Sequence, residues 1–106
     1  MHALMIFTTT SSREEAERLA EILVTNREAA CVQITGPMTS VYQWQGKVEK
    51  STEFTLNIKT HTTLFDAVAR TIDREHSYEV PEIVAVPIAH GSVNYLVWLG
   101  EQVESE

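Results

Sequence analysis

In the segment Lys47–Thr60, Phe54, Leu56 and Ile58 alternate with Thr55, Asn57 and Lys59. Strand side chains point to opposite faces with a period of two, so one face here is buried and the other is wet or against a polar partner. Just upstream, Val41-Tyr42-Gln43-Trp44 leads into Gln45-Gly46, a pair suited to reversing the chain between antiparallel strands. The return strand alone can extend ~45 Å at about 3.3 Å per residue. A domain of this size has a radius of gyration of only ~13 Å. Part of the hairpin, with Tyr42, Trp44 and Gly46, is therefore expected to project beyond its own core. Aromatic side chains on a projecting ribbon need a cover, and its unpaired edge invites another chain. A cyclic homo-oligomer answers both needs.

The rest of the chain supplies a partner layer for this ribbon. Residues 2–8 form an apolar run closing on Thr8-Thr9-Thr10, which reads as a buried first strand. Ser12-Arg13-Glu14-Glu15 is a capping box, in which Ser12 accepts from the Glu15 amide and Glu15 reaches back. Ala16, Leu19, Ala20, Leu23 and Val24 then recur at helical spacing, predicting a helix from Arg13 to about Glu28. Ala30-Cys31-Val32-Gln33-Ile34 starts the second strand, and Thr35-Gly36-Pro37 marks a bend or bulge in it. Thr62 or Thr63 caps a second helix that buries Leu64, Val68 and Ile72 and ends near His76. A strand over Ile83–Ile88 follows, with Pro87 implying an edge or a bend. Ser92 or Asn94 caps a short last helix that Tyr95 and Trp98 anchor to the sheet, ahead of an acidic tail expected to fray. The order is that of a ferredoxin-like βαββαβ sandwich, an α+β fold, with a long central hairpin and an extra C-terminal helix. One domain spans 1–106.

Composition removes several function classes. Fifteen acidic residues against eight basic ones leave a net charge of −7 with no basic cluster, so a nucleic-acid backbone is repelled. No apolar run approaches the ~20 residues that a membrane helix requires. The opening Met1-His2-Ala3-Leu4 lacks a basic start and a small-residue cleavage site, and reads as strand rather than leader. The single Cys31 excludes an intrachain disulfide and fits a reducing, cytoplasmic setting. No catalytic triad, phosphate loop or zinc spacing is present, so no enzyme activity is expected.

One junction concentrates chemistry. His76-Ser77-Tyr78-Glu79-Val80-Pro81-Glu82-Ile83 sets an imidazole, a phenol and two carboxylates across a break in regular structure. Proline holds Val80 extended and removes a backbone donor, so the segment leaves the helix here. Tyr78, Glu79 and Glu82 are expected to gather with His76 near a cleft between chains, and Glu53 and Lys59, facing outward by alternation, to line it too. His2, His61 and His90 read as structural or solvated.

The segments Ala29-Ala30-Cys31-Val32, Ser40-Val41-Tyr42-Gln43-Trp44-Gln45-Gly46-Lys47, Tyr78-Glu79-Val80-Pro81-Glu82-Ile83 and Asn94-Tyr95-Leu96-Val97-Trp98-Leu99 occur in this order. Together they resemble the CutA family of divalent-cation tolerance proteins over almost the whole chain. The resemblance implies a homotrimer, with Tyr42 and Trp44 packed between subunits. It also implies metal binding, copper being the ion usually associated with the family, or another divalent cation. Proposed ligands in the family include a cysteine where this chain has Thr8, and a second histidine where it has Glu75. His76, with Glu75 as an oxygen donor, is what remains of that set, which predicts weak copper binding. A second reading, by analogy of fold, is a PII-like trimeric signalling module that takes a small anionic ligand between subunits.

Overall fold

Eight extended residues, Ala3–Thr10, form β1 at the centre of a four-stranded antiparallel sheet in the computed structural model, which describes residues 2–104. The elements that follow are α1 (Arg13–Thr25), β2 (Cys31–Trp44), β3 (Lys47–His61), α2 (Phe65–Glu75), β4 (Val84–Pro87) and α3 (Val93–Gln102). Strand order across the sheet is β2-β3-β1-β4, so the hairpin partner β3 also pairs with β1 along its inner half. This is the ferredoxin-like α+β sandwich with the long hairpin and the added helix.

Alternation decides which side chains meet the helices. Leu4 and Ile6 of β1 and Leu56 and Ile58 of β3 share one face, where they pack on Ala16, Leu19 and Leu23 of α1 and Val68 and Ile72 of α2. A smaller cluster of Ala3, Ala30, Leu64, Leu99 and Val103 seats α3 against the base of the sheet. Burial of these apolar surfaces is the main favourable term in the fold.

Several boundaries differ from expectation, each for a local reason. Ser12 does cap α1, accepting from the Glu15 amide at 3.1 Å. Glu15 does not reach back, because its carboxylate is drawn to Ser77 instead. The helix stops at Thr25 rather than near Glu28, since Arg27 adopts a left-handed φ of 58°. Val24, assigned to the apolar face, is half-exposed there. Neither Thr62 nor Thr63 caps α2, because a 3₁₀ turn over Thr62–Leu64 leads straight into it. Ser92 caps α3, accepting from the Tyr95 amide at 3.3 Å. Tyr95 and Trp98 stay 38% and 40% exposed and stack on each other, so Leu99 is the anchor instead.

The hairpin behaves as its length requires. Gln45 and Gly46 both have positive φ, 51° and 79°, giving the two-residue reversal whose twist matches antiparallel strands. The register slips between Thr35 and Met38, where the bend was expected. A Cβ on Gly36 would lie 2.6 Å from the Phe54 ring, so only glycine fits that approach. The molecule measures 45 × 25 × 21 Å with a Cα radius of gyration of 14.3 Å, slightly above the ~13 Å of a rounder domain.

The acidic tail is tied back as far as Glu104, and Ser105 and Glu106 lie outside the described residues, as does Met1. Arg27 donates to the carbonyls of Glu101 at 2.8 Å and Gln102 at 3.0 Å, and its own carbonyl accepts from Glu104 at 2.8 Å. A guanidinium at a helix C-terminus also suits the helix dipole. Arg27→Ala should therefore cost about 1–2 kcal/mol and speed hydrogen exchange of the α3 amides ahead of those in β1. Unchanged exchange in α3 would show the latch to be idle.

Candidate functional site

A cleft of about 570 Å³ opens beside the hairpin, lined by Tyr42, Trp44, Glu53, Tyr78, Glu79 and Glu82. Thr9, Ser40, Val41 and Val80 complete its walls. Two remote segments thus meet: the hairpin supplies the aromatic wall, and the loop after α2 supplies the phenol and two carboxylates. Tyr42 and Trp44 remain 43% and 55% exposed in the single chain.

His76 determines where that loop runs. Its ring is fully shielded from solvent. Nδ1 accepts from the Tyr78 amide at 3.0 Å, so the proton of the neutral ring sits on Nε2, which donates to the Thr9 carbonyl at 2.6 Å. Glu15 secures the same corner, accepting from the Ser77 amide at 2.8 Å and its hydroxyl at 3.0 Å. Held this way, Tyr78 swings over β3 and donates to Glu53 Oε2 at 2.9 Å, while the Thr9 hydroxyl donates to the same oxygen at 3.3 Å.

Glu53 corrects one expectation. Alternation does put it on the face opposite the helices, but Tyr78 covers it and leaves it only 8% exposed. Burial, and then the Glu53 carboxylate, push the Tyr78 phenol up to about 12. Within the single chain Lys59 does not line this cleft. It lies six residues along the same strand, ~20 Å away at about 3.3 Å per residue, where its ammonium donates to Gln33 at 3.0 Å and lies over the Tyr95 ring.

The expected metal pair does not fit a metal site. Both nitrogens of His76 already serve backbone groups. Glu75 accepts from Arg18 at 3.0 Å and from Arg74 at 3.2 Å, and hydrogen bonds from Arg74 and Arg18 hold its carboxyl below the usual range. Among the described residues no group of three or more His, Cys, Asp or Glu side chains is placed to hold a metal ion. Thr8, at the position of the missing cysteine, is buried and its hydroxyl has no partner among the described residues, and Cys31 pairs across from Lys59 in the strand register. His61 Nε2 is enclosed with no hydrogen-bond partner among the described residues, and burial lowers its pKa.

Sequence reasoning missed Thr9 and Glu15, which position His76 and the loop. The run Thr8-Thr9-Thr10 at a strand end was the available signal, since one hydroxyl of three must face away from the core. Nothing in the local spacing of Glu15 pointed to a partner 62 residues away.

A family model described as CutA1 divalent ion tolerance protein matches residues 4–102. The divalent-cation tolerance protein CutA of Thermus thermophilus is 44% identical over 97 residues, covering 92% of this chain and 94% of that one. A rice relative named as a chloroplastic CutA 1 protein is 39% identical over 92% of this chain, which spans only 55% of that relative's length. Of solved structures, the Thermus thermophilus divalent cation tolerance protein superposes with a TM-score of 0.94 at 42% identity, covering 96% of this chain and 99% of that one. CutA1 from Oryza sativa gives 0.98 at 36% identity, covering 100% and 97%.

The Tyr78–Glu53 bond can be read by titration. A phenol that ionises higher when folded binds its proton more tightly than the unfolded chain does, so it contributes stability below pH 10 that is lost as pH rises toward about 12. Tyr78→Phe should abolish the highest-pH phenolate transition in ultraviolet absorbance and flatten the decline in stability across that window. A wild-type protein whose three tyrosines all ionise near 10 would contradict the geometry.

Proposed function

The chain belongs to the CutA1 divalent ion tolerance family, and on that premise we propose that it is a non-enzymatic binding protein of divalent-cation tolerance acting as a homotrimer. The observation that carries this reading is the meeting of Tyr42, Trp44, Glu53, Tyr78, Glu79 and Glu82 on one cleft at a half-exposed aromatic ribbon. Large apolar side chains left half-exposed at a ribbon end favour burial against other copies. A cleft on that border is then completed by a neighbouring subunit, and binding takes place between chains.

Metal contact in this reading is weak and superficial. Exposed carboxylates on a chain of net charge −7 attract divalent ions, copper among them, without a preformed cage. A small anionic ligand, as in a PII-like signalling module, has less support: the cleft is lined by three glutamates and by no lysine or arginine. A cytoplasmic setting completes the proposal, supported by the single thiol, and cell fractionation tests it. No helix among the described residues is long and apolar enough to cross a membrane.

Sedimentation at micromolar concentration should give three times the 12.0 kDa chain mass. Trp44→Ala should weaken that assembly by at least about 2 kcal/mol, the scale of a central interface aromatic. A stable monomer would remove the trimer from the proposal. Calorimetry with divalent copper should give only weak binding that survives in His76→Ala, whereas tight binding lost in that variant would restore His76 as a ligand.

A further inference from the structure

Glu53 is a buried carboxylate whose charge no cation among the described residues balances. It is 8% exposed, and its Oε2 takes both hydroxyl donors, from Tyr78 and Thr9. Its Oε1 has no hydrogen-bond partner among the described residues, and the residue lines the cleft. Oε1 is not itself enclosed, so it opens on the cleft as a charged acceptor that a positive group can meet. Tyr42 and Trp44 line the same cleft further toward the hairpin tip, across from Glu49 and Lys47, and Glu79 and Glu82 add two further negative charges. We infer that this cleft is a binding site for a small organic ammonium ion, whose N–H donates to Glu53 Oε1 while its carbon chain runs along the cleft toward Tyr42.

The arrangement discriminates among cations. A hard divalent metal ion takes about six oxygen ligands, and among the described residues no three His, Cys, Asp or Glu side chains are grouped to begin such a set. A guanidinium pairs best through a two-pronged contact with both oxygens of a carboxylate, and Oε2 is already occupied. An ammonium needs a single strong acceptor, and aromatic faces attract such cations directly. The cleft of about 570 Å³ is in the range of small-molecule sites and has room for a short aliphatic amine. A second ammonium on the same molecule finds Glu79 or Glu82, so a diamine binds more tightly than a monoamine.

This inference rests on the reading of the cleft as the binding surface, and its test separates the two. Calorimetry of the full chain uses 1,4-diaminobutane and butylamine as probes, with butanol, butyrate and divalent copper as comparisons. Sedimentation of the same samples reports assembly independently. The expected result is saturable binding in the order diamine, monoamine, then little or no alcohol or acid. Glu53→Gln, which keeps an acceptor for Tyr78, should weaken amine binding about tenfold or more, as loss of a charge-assisted hydrogen bond does. In a Trp98→Phe background the remaining Trp44 fluorescence should respond to the amine. Should Glu53→Gln fail to fold, the double variant Glu79→Gln with Glu82→Gln should remove the advantage of the diamine over the monoamine. Butanol binding as well as butylamine, amine binding indifferent to Glu53→Gln, or no amine binding at tens of millimolar would each overturn the inference. So would copper binding lost in Glu53→Gln without any amine binding, which assigns the floor to a metal. A trimer that ignores amines removes the ligand alone; a monomer that binds them removes only the assembly.

Discussion

One imidazole, fixed at both nitrogens by backbone groups, sets the geometry of this molecule's functional face. His76 joins the end of β1 to the loop that follows α2, taking the Tyr78 amide on one side and giving its proton to the Thr9 carbonyl on the other. Both bonds are shielded from water, where a backbone group left unpaired is costly. Tyr78 comes to lie over Glu53 because its own amide is held there, and the covered carboxylate follows from that placement. The aromatic ribbon would exist without this link, but it would border open solvent rather than a walled cleft.

Periodicity is strong evidence where burial is one-sided, and the outcome here follows that rule. The alternation at Phe54, Leu56 and Ile58 located β3 and its core face, and the spacing of Leu64, Val68 and Ile72 located the buried side of α2. The grouping of Tyr42, Trp44 and Tyr78–Glu82 was legible because Val80-Pro81 takes the chain out of the helix and the ribbon is too long for its own core. What stayed hidden were contacts between side chains far apart in sequence. Glu15 looked like half of a capping box, and only the fold reveals the stronger donors at Ser77. His76 looked like a ligand because sequence shows a titratable ring and not the backbone groups that occupy it. Lys59 and Glu53 share a face by alternation, yet distance along a strand separates what parity unites.

The charge distribution connects fold and family. An acidic chain gains nothing from adding carboxylates to a cleft unless a positive group answers them, and Glu53, Glu79 and Glu82 converge with no basic side chain on the same walls. Arg18 and Arg74 hold Glu75, Arg13 lies over Phe54 while donating to the Gly36 carbonyl, and Lys47 and Lys50 stand across the hairpin from Trp44 and Val41 without lining the cleft. Membership in a divalent-cation tolerance family and an unanswered negative cleft are compatible facts of different kinds. The first describes relatives, the second describes what this surface attracts.

Both outer strands of the sheet contain a proline. Pro37 sits where β2 slips its register, and Pro87 closes β4. Each removes an amide that a foreign strand would need for an unbroken ladder. Neither rim is therefore a long uniform template on which arbitrary extended peptides, or partly unfolded copies, can stack into fibrils. For a small acidic protein that carries bare valines and a tryptophan on a protruding ribbon, this interruption makes adhesion selective. The ribbon can mate where a shaped counterpart exists, and an unbroken ladder along either outer strand is interrupted at its proline.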